Sequence, residues 1–177
     1  MDFNKEKIIR IIIIATISLS LMLTGQWIYS KYTVEKSLVN TVLKKPYVEA
    51  VDIKKERTKI TVFLKFKDID NLMWVYNDVY DTIDYHLKGR PFSVKILSQP
   101  DRLIEELYSE RIQFIIFEAL QTGNYTEMKD KLDDIRSREN VDIKVFLDTR
   151  NLYLQIKHGE HHFYDVVKRT ELSGGEK

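Results

Sequence analysis

The densest group of potential metal ligands in the chain is HGEHH at residues 158–162. On a helix, His158 and His162 would stand four residues apart, as would His161 and Asp165. Each pair would then share a face and offer imidazole or carboxylate ligands to a divalent ion. The spacing matches no established zinc motif, and Gly159 suggests that His158 lies in a turn. The plainer reading is a solvated helix start, with a last helix from about residue 160 to 168. A second group gathers carboxylates at Asp68, Asp70, Asp78, Asp81 and Asp84. Paired acids could exchange protons in general acid–base work. Asp78 and Asp81, however, fall opposite the apolar stripe of their helix, where solvated charge belongs. No glycine-rich phosphate loop, nucleophile elbow, HExxH or EF-hand pattern accompanies them. The sequence therefore predicts no enzyme, no metal and no cofactor.

Bulk properties narrow the field further. Lys plus Arg (28) and Asp plus Glu (27) nearly cancel, which leaves no basic footprint for nucleic acid. Cysteine is absent, so disulfides, thiolate catalysis and cysteine-based zinc sites are excluded. A chain of 177 residues that is 44% hydrophobic and 31% charged can bury a real core and supports one ordinary domain or two small ones.

Residues 11–29 (IIIIATISLSLMLTGQWIY) carry no charge. At ~1.5 Å per helical residue the run approaches the ~30 Å thickness of a bilayer core. Ile11, Ile14, Leu19, Leu21 and Leu23 are its apolar body, and Trp27 and Tyr29 close it with the aromatic pair expected at a headgroup boundary. A cleaved signal peptide would have a shorter apolar region followed by small residues. The run thus reads as an uncleaved transmembrane anchor in contact with lipid, after a cytoplasmic N-terminus at 1–10. Lys5, Lys7 and Arg10 precede it, and Lys31, Lys36, Lys44 and Lys45 follow it. This near tie is broken by the short basic N-terminus, which usually stays in the cytoplasm. The domain is placed outside it.

The elements that must position any site come next. Residues 34–45 show helical spacing at Val34, Leu38, Val42 and Leu43, stopped by Pro46. Strands follow at 47–54 and 59–67, joined by the polar turn 55–58. Asp68 or Asp70 could cap a helix reaching residue 87, with Leu72, Val75, Val79 and Ile83 on one stripe. A strand at 92–97 completes a unit at 30–98. The second unit, 99–169, reads as helices at 103–120 and 125–138, strands at 141–148 and 152–156, and the final helix. A disordered tail is expected at 170–177. The expected class is α+β: a transmembrane helix, then one or two αββ(αβ) units whose antiparallel hairpins pack on helices. The segments 51–66 and 141–156 share the word VDIK, and each reads as a hairpin followed by a helix. Apolar residues surround helix 103–120, which must therefore be covered on all sides, between two sheets or against a partner subunit.

Trp74 and Tyr85 fall on the same side of helix 70–87 as Asp78 and Asp81. A large aromatic among charges is a common recognition anchor. These four residues form the candidate interaction face, and packing of that side on the second unit is the alternative.

The segments VEKSLVNTVL, YVEAVDI, KITVFLKF, LMWVYNDVYDTIDYHL and PFSVKIL give an element order similar to small αββαβ modules behind single membrane helices. Such modules occur in ring-building domains of sporulation and secretion channels and in pilus or secretion alignment proteins. The likeness is one of layout over about a third of the chain. It implies assembly by contact with other membrane or envelope proteins, or with further copies of the chain. The other functional expectation is a membrane-tethered sensor or ligand-binding domain, which would need a pocket between the halves lined by Tyr108, Phe114 and Tyr153.

Overall fold

A computed structural model describes residues 3–56 and 59–169. It is α+β, with five α-helices and two three-stranded sheets among the described residues. The first helix, α1 (Phe3–Leu43), is unbroken. The two separate helices expected at 11–29 and 34–45 are therefore one, since neither glycine nor proline interrupts residues 26–45. Among the described residues no helix is long and apolar enough to cross a membrane.

Sheet A contains β1 (Val48–Lys55), β2 (Ile60–Phe66) and β3 (Phe92–Ile96) in that order. β1 pairs antiparallel to β2, and β3 lies parallel to β2. A parallel neighbour requires a crossover, which is α2 (Leu72–Leu87). Asn71 rather than Asp68 or Asp70 caps α2, its side chain accepting the Trp74 N–H at 2.9 Å. Leu38 and Val42 of α1, the stripe Leu72, Val75, Val79 and Ile83 of α2, and Val62, Leu64 and Phe66 of β2 share one core.

Sheet B is an antiparallel meander of β4 (Asp142–Leu147), β5 (Asn151–His158) and β6 (His161–Lys168). The last element is thus a strand, not the expected helix. Phe163, Val166 and Val167 imitate helical spacing. Gly159, however, takes φ 57° at the first of two linking positions, the conformation a two-residue hairpin favours. β-branched and aromatic residues then suit a pleated layer, and both faces of β6 pack.

On one face of sheet B, Leu152, Leu154 and Ile156 join a second core. It is built with α3 (Arg102–Leu107), α4 (Gln113–Thr122) and α5 (Tyr125–Glu139). A π-helical turn, Tyr108–Ile112, joins α3 to α4. The opposite face sends Tyr153 and Tyr164 into the first core, with Phe146 and Val166 beside them. α2 therefore lies between the two sheets. The helix at 103–120 covers only the outer face of sheet B, which corrects the expected sandwich: Ile112 and Ile116 are buried, whereas Phe114 and Phe117 face outward.

Polar contacts join the two units. Gln155 is buried and its Nε2 donates to the Ile69 carbonyl at 2.5 Å. Lys157 pairs with Asp68. The Tyr164 hydroxyl donates to the Lys67 carbonyl at 3.3 Å, and its ring meets Phe66 edge-on.

Candidate functional site

Helix α1 presents a long run of exposed apolar side chains. Ile11, Ile14, Leu19, Leu21 and Leu23 are each more than half exposed. Trp27 and Tyr29, expected to close the anchor, have side chains outside the described residues.

Helix α2 has three differently occupied sides. Its apolar stripe enters the first core, and Tyr76, Asn77 and Tyr80 turn toward sheet B. The remaining side carries Trp74, Asp78, Asp81 and Tyr85. Trp74 is 61% and Tyr85 81% exposed. The Tyr47 ring meets Trp74 edge-on at 5.6 Å, and Asp78 is tied to Lys45 at 2.5 Å. Asp78 and Asp68 thus each face a lysine, Lys45 and Lys157.

The HGEHH segment is the β5–β6 hairpin, and its histidines diverge. His158 Nδ1 lies 2.6 Å from Asp101 Oδ2. This hydrogen bond is the main reason that the Asp101 carboxyl sits below the usual carboxylate range. His161 is exposed, with Nδ1 3.3 Å from the Gln99 carbonyl. His162 turns inward beside Tyr164, its buried Nε2 without a hydrogen-bond partner among the described residues, and burial lowers its pKa. The i, i+4 pairs imagined for a helix do not form, because these residues are strand and turn. Among the described residues no three His, Cys, Asp or Glu side chains could together hold a metal.

A polar knot at the β4–β5 turn is better built. Tyr153 is fully buried, and its hydroxyl donates to Asp148 Oδ2 at 2.6 Å. Asn77 Oδ1 lies 3.0 Å from the same hydroxyl, which accepts from Asn151 Nδ2 at 3.1 Å. Asp148 Oδ1 accepts the backbone N–H groups of Arg150 and Asn151, each at 2.7 Å. Burial alone would raise the Asp148 pKa. The hydrogen bonds from Tyr153, the two N–H groups and Asn77 outweigh it and hold the carboxyl below its ordinary value.

This knot bounds a cleft of about 370 Å³ between the units, lined by α2, β3, the 149–151 turn and the end of β6. Tyr76 stacks on Tyr80 at 6.0 Å, and Tyr80 meets Phe92 at 4.8 Å. Burial is the first cause that pushes the Tyr76 pKa up to about 12, which keeps the phenol neutral. Arg150 lies over the Tyr80 ring at 6.0 Å. Of the residues named in sequence for an inter-unit pocket, Tyr153 abuts this cleft through Tyr76. Tyr108 lies on the other face of sheet B, bonded to Asp165 at 2.6 Å, and Phe114 is 63% exposed. Sequence reasoning missed Tyr80, Phe92, Arg150 and Lys168.

No protein-family model matches the chain, and no curated protein or solved structure shows significant similarity to it.

Proposed function

We propose that this chain is a single-pass, membrane-tethered protein whose α+β domain acts outside the cytoplasm as a contact module in an envelope assembly. One observation carries the reading. The apolar N-terminal part of α1 stands exposed from Ile9 to Leu23, while Leu38 and Val42 of the same helix are fully buried. Contiguous apolar surface of this kind needs a cover other than water. Its described part is shorter than the ~20 residues of a full crossing. The uncharged sequence at 25–29 would complete that length. Lys5, Lys7 and Arg10 favour a cytoplasmic N-terminus. Tethering confines the domain to two dimensions and raises the effective concentration for weak lateral contacts. Trp74 and Tyr85 would anchor such contacts beside Asp78 and Asp81.

Two measurements test this. The full chain should stay in the membrane pellet after an alkaline carbonate wash, and protease added to spheroplasts should digest the domain. Recovery of the intact chain in the aqueous fraction would overturn the proposal. Separately, Trp74→Ala should abolish cross-links formed through Tyr85 in membranes, at a stability cost of about 1 kcal/mol or less. Unchanged cross-linking would remove this face from the interface. A second reading, a tethered ligand-binding domain, is favoured by the cleft between the units.

A further inference from the structure

The two sheets nearly become one. Gln99 pairs antiparallel with His162 just beyond the end of β3, its N–H donating to the His162 carbonyl at 3.2 Å. Ser98 Oγ accepts the Tyr164 N–H at 2.9 Å. The outer edge of β3 and the outer edge of β6 thus run alongside each other at one end. Toward Phe92 on one strand and Lys168 on the other they separate, and the cleft opens where sheet pairing stops. Side chains of α2 close its floor.

The lining is asymmetric in charge. Arg150, Lys168 and Arg169 border the cleft, and among the described residues no carboxylate does. Asp148, which precedes the lining residue Thr149, is turned into the Tyr153 knot. Arg169 is already engaged, donating to the Asp148 carbonyl at 2.5 Å and to the Tyr125 hydroxyl at 3.2 Å. Arg150 and Lys168 are exposed, and among the described residues neither has an ion pair. Tyr76, Tyr80 and Phe92 line the same cleft, and Arg150 lies over the Tyr80 ring at 6.0 Å.

We infer that this cleft is a binding site for a small aromatic organic anion. The ring of the ligand lies against Tyr80 and Phe92, and its anionic group reaches Arg150 and Lys168. The volume suits a small molecule, since such sites begin at about 300 Å³. An aromatic wall rewards a planar ring over a saturated one, while two cations with no ion pair among the described residues reward an anion over its neutral isostere. The site does not depend on the tether, so it stands or falls separately from the membrane proposal.

The test is calorimetric titration of the full chain in non-ionic detergent, with a micelle-only blank. The probe is indole-3-carboxylate; indole-3-carboxamide and cyclohexanecarboxylate are the neutral and the saturated comparisons. The carboxylate should bind at one site per chain with a Kd below about 1 mM. Each comparison compound should bind at least about fivefold more weakly. Arg150→Ala and Lys168→Glu, both at exposed positions, should each weaken the carboxylate by about five- to tenfold. Circular dichroism of both variants should remain that of the parent. Tyr80→Leu, which removes the ring but keeps an apolar side chain, should weaken the carboxylate and leave cyclohexanecarboxylate unchanged. Absence of saturable binding, equal binding of carboxylate and carboxamide, or insensitivity to both charge variants would each overturn the assignment.

Discussion

Two hairpins carry the same four residues at their first strand, VDIK at 51–54 and at 141–144, and become different kinds of sheet. In sheet A, Val51 and Ile53 of β1 lie opposite Leu64 and Val62 of β2. The intervening Asp52 and Lys54 face water. That sheet has one packed side. In sheet B, β5 is buried continuously from Leu152 to Ile156, because helices cover one face and the first unit covers the other. A charged residue at every second position marks an outer layer. An unbroken run such as Leu152, Tyr153, Leu154 marks an inner one. The exits differ as well: the first hairpin leads to α2 and a parallel strand, the second to a third antiparallel strand. The shared word therefore sets local strand geometry, and what packs around it sets the layer.

The largest effect should come from breaking the inner sheet at its doubly committed residue. Tyr153→Ala removes a fully buried ring and the centre of the polar knot, and should cost about 3–5 kcal/mol in urea denaturation. Both units should lose cooperativity together. A loss below about 1 kcal/mol would show that sheet B does not bind the units to each other.

A smaller effect sharpens the same point through pH. The folded-state pKa of Asp148 is lowered, so its contribution is present above the ordinary value of 3.8 and disappears as pH falls through the lowered native value. Asp148→Asn should therefore destabilise the domain by about 1–3 kcal/mol at neutral pH. The gap to the parent should shrink in acid below pH 3.8. A gap that stayed constant with pH would assign the loss to shape rather than charge. The smallest effect belongs to the outer sheet: Asp52→Ala should change stability by no more than about 0.5 kcal/mol.

Much of this architecture is legible in the residues. Alternation located β1 to β5, and the stripe Leu72, Val75, Val79, Ile83 located α2. The β6 strand was hidden because Phe163, Val166 and Val167 satisfy a helical period by coincidence, and only the Gly159–Glu160 pair argued for a hairpin. The join between the two N-terminal helical segments was hidden for a different reason. Polar residues at 30–33 resemble a linker, but they do not break a helix when glycine and proline are absent. The cleft could not be read from the sequence. Tyr80, Phe92, Arg150 and Lys168 belong to four separated segments, each locally unremarkable. They meet only because β3 and β6 part company after a brief pairing at Gln99 and His162.

The 41-residue length of α1 has a mechanical consequence. At ~1.5 Å per residue it is a strut of roughly 60 Å without a joint, and its inner end is clamped against α2 at Leu38 and Val42. Whatever grips the outer end also dictates how the globular part is aimed.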